Sequence, residues 1–120
     1  TAGAPVASAD RVEVVYFHRT ERCASCLWAE QATRWTLGTY LQDELAAGRV
    51  TFQAIDVQKP ENSAAARKYR AAGSSLFLNY VKDGQDHIVE AVDTYPYVGN
   101  EARFSERLVA KIKAGLEVEQ

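Results

Sequence analysis

The run Val12-Glu13-Val14-Val15-Tyr16-Phe17, the polar loop His18-Arg19-Thr20-Glu21-Arg22 and then Cys23-Ala24-Ser25-Cys26 decide how this chain is read. Val14 to Phe17 is apolar at every position, the pattern of a central strand covered on both faces. From Ala24 onward the pattern turns helical. The two cysteines are the only ones in the chain, and they sit three apart where a strand hands over to a helix. On a first helical turn, residues i and i+3 are neighbours, close enough for the Cα separation that a disulfide needs. A helix start also offers unpaired backbone N–H groups and the positive end of the dipole, which favour a thiolate over a thiol. A dithiol placed there can cycle between reduced and oxidised forms.

On the N-terminal side of this stretch, Thr1 to Ala9 consists of small residues. Residues 1–10 are expected to form a flexible arm ahead of one domain over 11–120. Such an arm suits a tether, the remnant of a removed signal sequence, or a cloning remnant. On the other side, a helix is expected from Ala24 to about Ala47, with Leu27, Trp28, Trp35, Leu41 and Leu45 in the core. Gly48 ends it.

Arg49 to Ile55 alternates and is rich in strand formers. Reached through a helix, it should lie parallel to the first strand by a right-handed crossover. Pro60 opens a second helix, expected to run to Ala72 and stop at Gly73. Leu76 to Lys82 and Asp86 to Val92 read as strands joined by the tight-turn pair Asp83-Gly84, an antiparallel hairpin. A last helix from about Asn100 to Ala114 places Phe104, Leu108 and Ile112 on one face. The order βαβαββα describes an α/β fold in three layers, a four-stranded mixed sheet with helices on both faces. The cysteines then lie at the carboxyl end of a central strand, where open α/β sheets put their sites.

At 120 residues the chain is long enough for a core without disulfide staples, so the cysteines point to chemistry rather than framework. A net charge of −2 gives no general attraction to nucleic acid or anionic membrane. The run Arg67-Lys68-Tyr69-Arg70 spreads around a helix and reads as a solvated face. No window reaches the apolar length that crosses a bilayer.

The order of elements, with Cys23-Ala24-Ser25-Cys26 at the first strand-to-helix junction, resembles the thioredoxin superfamily over residues 11 to about 116. More narrowly, Val14 to Cys23, Asp56 to Asn62 and Tyr80-Val81-Lys82-Asp83-Gly84 look like a group of small bacterial and archaeal thioredoxin-like proteins, the nitrophenyl compound nitroreductase subunit family. The resemblance implies a thioredoxin-like fold, with Cys23 as the exposed attacking thiol and Cys26 as the more buried resolving thiol. It implies protein or small-molecule thiols and disulfides as partners, and no cofactor beyond the Cys23–Cys26 disulfide.

Three departures from the thioredoxin pattern stand out. Arg22 replaces the aromatic residue before the first cysteine. Val15 to Phe17 lacks the buried carboxylate of the first strand. Gly73-Ser74-Ser75-Leu76 lacks the cis-proline facing the sulfurs, and Ser75 is expected in its place.

Among the supporting residues, Arg19 and Arg22 read either as solvated loop charges or as guanidiniums that lower the Cys23 pKa. His18 reads as an exposed loop residue, a proton carrier, or a third metal ligand with Cys23 and Cys26. His87 reads as a surface residue, Asp56 as a loop or cap residue, and Tyr95-Pro96-Tyr97 as a turn that could rim the site.

The leading expectation is a thiol–disulfide oxidoreductase. Two others stay open at this level: a zinc- or copper-binding module on Cys23, Cys26 and His18, and a non-catalytic partner domain. An exported or cell-envelope setting suits the arm, with the cytoplasm as the alternative.

Overall fold

A computed structural model describes residues 8–117. The expected arm lies outside the described residues from 1 to 7. Ser8 and Ala9 are held by 2.8 Å backbone hydrogen bonds to the carbonyls of Glu117 and Gly115.

Strand β1 (Arg11–His18) pairs in parallel with β2 (Val50–Asp56) and antiparallel with β3 (Ser75–Val81), which pairs antiparallel with β4 (Ile88–Glu90). The sheet order β2-β1-β3-β4 puts β1 and β3 in the centre. Their continuous apolar runs are buried on both faces, as such strands must be. Period-two alternation then sorts β1 between two cores. Val12, Val14 and Tyr16 face helices α1 (Ala24–Tyr40) and α4 (Glu101–Leu116), while Val15 and Phe17 face α3 (Ser63–Tyr69) through Tyr69. The result is the three-layer α/β fold with a mixed sheet that the sequence implies.

The helix expected over Ala24–Ala47 is two helices. It breaks at Leu41, which leaves the α region, and resumes as α2 (Gln42–Ala46). Gly38-Thr39-Tyr40 carries weak helix formers into the break, and burying Leu41 completely holds it there. Two expected core residues of α1 are exposed: Leu27 at 40% and Trp35 at 43%. The buried stripe runs instead through Ala29, Ala32, Thr33, Thr36 and Leu37. Small side chains along most of that face let α1 and α4 pack closely, and the tryptophans fall on its flanks. Trp28 meets Phe104 edge-on at 5.2 Å, and Trp35 meets Tyr40 in the same manner. Thr36 turns its hydroxyl back to the Ala32 carbonyl and meets Ser105 Oγ at 2.7 Å, pinning α1 to α4.

The second expected helix begins as a 3₁₀ turn over Pro60–Asn62 and continues as α3. It ends before Gly73, because Arg70 adopts the left-handed conformation at φ 56° and closes the helix there. The hairpin turn matches its sequence signal. Asp83 and Gly84 both have positive φ, as a two-residue turn between twisted strands requires. β4 is shorter than expected at three residues, and the following Val92–Tyr97 segment is a 3₁₀ helix. α4 starts one residue after its cap, Asn100, whose side chain accepts from the Arg103 N–H at 3.2 Å. It buries Phe104, Leu108 and Ile112 as expected.

Gly115 on α4 sits against the ring of Tyr80, and a Cβ there would lie 2.1 Å from two ring carbons. The ring cannot retreat, since Tyr80 is fully buried and its hydroxyl donates to the Lys111 carbonyl at 2.9 Å. Gly115→Ala is therefore expected to cost about 1–3 kcal/mol through overpacking. The change is read as a lower urea midpoint at unchanged m-value.

Candidate active site

Cys23 is the N-cap of α1. Its backbone is extended, and its Sγ accepts the Cys26 N–H at 3.3 Å, the geometry in which a helix start stabilises negative charge on sulfur. Cys23 and Cys26 form a disulfide with their Cα atoms 5.1 Å apart. Cys23 is exposed and Cys26 half-buried, and Ser25 Oγ lies 3.4 Å from the Cys23 sulfur.

The side chains expected to support the pair are placed as follows. Arg22 turns to Glu30 on the second turn of α1 and forms an ion pair with it, with the two side chains 24% and 15% exposed. Arg34 reaches the other Glu30 oxygen at 3.1 Å and stacks its guanidinium 4.6 Å above the Phe52 ring. The Arg22 charge is thus shared with a carboxylate. Arg19 lies over Gly73, where a Cβ would meet its Nη2 at 3.4 Å. Gly73 therefore serves a close approach rather than a helix end.

The His18 ring Nδ1 lies 2.9 Å from the Arg19 carbonyl. Among the described residues no three His, Cys, Asp or Glu side chains gather to hold a metal. His87 is half-buried on the hairpin, on the far side of the sheet from the sulfurs, where it lines a hollow of about 510 Å³ with Tyr69 and Phe77.

Ser75 faces away from the sulfurs in its bonding. Its hydroxyl donates to the Gly73 carbonyl at 3.1 Å. The neighbouring Ser74 makes the contact instead, with Oγ 3.0 Å from Cys26 Sγ. The β1–β3 register pairs Phe17 with Ser75 and so brings the segment before it over the first turn of α1.

Tyr16 completes the group. Its hydroxyl donates to the Cys26 carbonyl at 3.1 Å, and its ring lines the same small hollow as Ser74. Burial pushes the Tyr16 phenol up, against the lowering effect of the Ser74 hydroxyl. No peptide among the described residues is cis, so Ser74-Ser75 and Tyr95-Pro96 are both trans.

Tyr95 rims the site. Its hydroxyl accepts the Leu76 N–H at 2.9 Å and donates to Glu90 at 2.8 Å, which ties the last loop to the start of β3. Tyr16, Cys26, Ser74, Ser75, Tyr95 and Val98 surround a hollow of about 150 Å³ beside the Cys26 sulfur.

The loop before Cys23 is fastened from β2. Thr20 Oγ1 donates to Asp56 at 2.6 Å, and the Thr20 N–H donates to Gln58 Oε1 at 2.9 Å. The Thr20 bond is the chief reason that the Asp56 carboxyl lies below the ordinary range. Asp56, expected as a loop or cap residue, is the last residue of β2, paired with His18 and buried.

Tyr16, Glu30 and Ser74 were not singled out by sequence. A lone hydroxyl-bearing aromatic in the apolar run Val14–Phe17 is a usable signal for Tyr16. Ser74 and Glu30 become visible only once the register and the helix face are fixed.

No family model matches the chain, and no curated protein matches it. Solved structures do. A malarial protein is 20% identical with a TM-score of 0.52, covering 88% of this chain and 98% of the other. A thioredoxin from Thermus thermophilus is 26% identical with a TM-score of 0.41, over 66% of this chain and 58% of the other. A thioredoxin from Fasciola hepatica is 21% identical with a TM-score of 0.42, over 87% and 84%. The likeness to the malarial protein is one of fold. With sheet order β2-β1-β3-β4 and a disulfide at the β1–α1 junction, the chain has a thioredoxin-like fold.

Burial works against ionising Glu30, but the hydrogen bonds and charges of Arg22 and Arg34 outweigh it and hold its carboxyl below the ordinary glutamate range. A depressed folded-state value means that the unfolded chain binds the proton first as pH falls. This contribution to stability is complete above the ordinary glutamate range and is lost as pH drops through the folded-state value. Urea midpoints measured from pH 7 down to pH 3 are expected to fall less steeply for Glu30→Gln than for the wild type.

Proposed function

We propose that the chain is a thiol–disulfide oxidoreductase working through Cys23 and Cys26. The observation that carries this reading is the exposed Cys23 sulfur at the α1 N-cap, bonded to a neighbour three residues on and accepting a helix N–H. In the reduced form a Cys23 thiolate attacks a substrate disulfide, and a mixed disulfide forms as one thiolate leaves. Cys26 then attacks the Cys23 sulfur, closes the intramolecular disulfide and releases the second thiol. Run backwards, the same steps oxidise a substrate dithiol.

The exposure of Cys23 supports it as the attacking thiol, and the partial burial of Cys26 supports it as the resolving one. Protein or small-molecule thiols and disulfides are the substrates that suit a shallow site of this kind. No helix among the described residues is long and apolar enough to cross a membrane. The narrower kinship with the small bacterial and archaeal group rests on Val14 to Cys23, Asp56 to Asn62 and Tyr80 to Gly84, and the dithiol reading does not require it.

The test follows the two steps. The wild type is expected to speed the reduction of a protein disulfide by dithiothreitol and to titrate as one two-electron couple in glutathione buffers. Cys23→Ser should abolish the acceleration, and Cys26→Ser should trap a mixed disulfide visible by mass. A wild type no faster than dithiothreitol alone, with no adduct on Cys26→Ser, overturns the proposal.

A further inference from the structure

Cys26 is half-buried beside hydroxyls, and no carboxylate hydrogen-bonds its sulfur among the described residues. Glu30, the acid on the next turn of the same helix, is occupied by two guanidiniums. Among the described residues, Ser74 is the one outside α1 and its cap that hydrogen-bonds the sulfur, across 48 residues of sequence. Its single hydroxyl proton has the Cys26 sulfur within reach at 3.0 Å, and the Tyr16 phenol, which lines the same small hollow, is the other acceptor to which it can turn. The Tyr16 proton is directed at the Cys26 carbonyl, which leaves the phenol oxygen free to accept.

We infer that Ser74 is a further catalytic residue, whose hydroxyl donates to Cys26 when that sulfur is a thiolate and turns to Tyr16 when it is a thiol. This deepens the exchange reading above and rests on it. In the thiol state the Cys26 S–H points at Ser74 Oγ, and the Ser74 proton rests on Tyr16. After Cys23 has formed its mixed disulfide with the substrate, Cys26 gives its proton to water or to the departed thiolate. The Ser74 O–H swings onto the new thiolate. Cys26 then bonds to the Cys23 sulfur, the Cys23–substrate bond breaks, and the leaving sulfur takes its electron pair and a proton from solvent. The dithiol is oxidised by two electrons and the substrate disulfide is reduced by the same two. Ser74 acts only on the second step, because its contact is to Cys26 and not to Cys23.

A hydrogen bond to a charged partner is the stronger kind, so removing it should raise the Cys26 pKa by about one unit or more. Part of the lost thiolate fraction is regained as higher intrinsic nucleophilicity, so the resolving step should slow about fourfold or more below that pKa.

Reduced protein mixed with the aromatic disulfide 5,5′-dithiobis(2-nitrobenzoate) releases one coloured thiolate on attack by Cys23 and a second on resolution by Cys26. For Ser74→Ala, an unchanged first phase is expected, with a second phase slowed at least about fourfold and a pH–rate profile moved upward. Ser74→Thr, which keeps a hydroxyl, should restore the second phase. A wild type that shows both phases, with Ser74→Ala leaving them unaltered or slowing them equally, overturns the role of Ser74 and leaves the exchange reading intact. A wild type that releases no second thiolate overturns both.

Discussion

The packing of α1 against α4, over the face of the sheet that carries Val12, Val14 and Tyr16, is the constraint on which the rest of the molecule depends. Ala29, Ala32, Thr33 and Thr36 present little bulk, so α1 and α4 come close together over one face of the sheet, with Trp28 meeting Phe104 between them. Close packing of that kind tolerates few alternatives, because interiors are filled at crystal-like density. The Tyr16 hydroxyl on the Cys26 carbonyl and the Thr36–Ser105 bond fix the helix at both ends of its length. With α1 fixed, Cys23 has no choice but to stand at the helix entrance.

Electrostatics around the sulfurs follows from what each neighbour is already bound to. Two guanidiniums share Glu30, and the nearest contacts of the sulfurs come from backbone N–H groups and serine hydroxyls. The hydrogen bonds to the sulfurs thus come from dipoles, a helix N–H and hydroxyls. Dipoles built into the backbone need no side-chain ordering at the moment of reaction. The loop preceding Cys23 is likewise held from below by Asp56 and Gln58, which keeps the helix entrance in one place.

Much of this architecture can be read from sequence because its signals are local. The apolar run of β1, the Asp83-Gly84 turn and the 104-108-112 stripe each depend on neighbours within one element. The cysteine pair reads clearly for the same reason. What is not legible in the sequence involves tertiary context. Trp35 reads as core on size and spacing, yet the buried stripe of α1 belongs to its smallest residues. Gly73 reads as a helix stop, yet Arg70 takes that part and Gly73 yields room to Arg19. Ser75 stands where a resemblance places the third-strand residue, but the strand register gives the sulfur contact to its neighbour Ser74. Arg22 lies beside Cys23 in sequence, and only the folded helix reveals that Glu30 claims its charge.

The three-residue length of β4 has a bearing on colloidal behaviour. A sheet margin with a long, flat row of open hydrogen-bonding groups invites other chains to add strands. Here that margin offers a very short ladder, flanked by Asp86 and Glu90, before the backbone coils into a 3₁₀ helix. On the opposite rim, β2 carries the Arg34 guanidinium over Phe52, so a cation guards the apolar ring there. The β4 rim therefore discourages fibril-like growth.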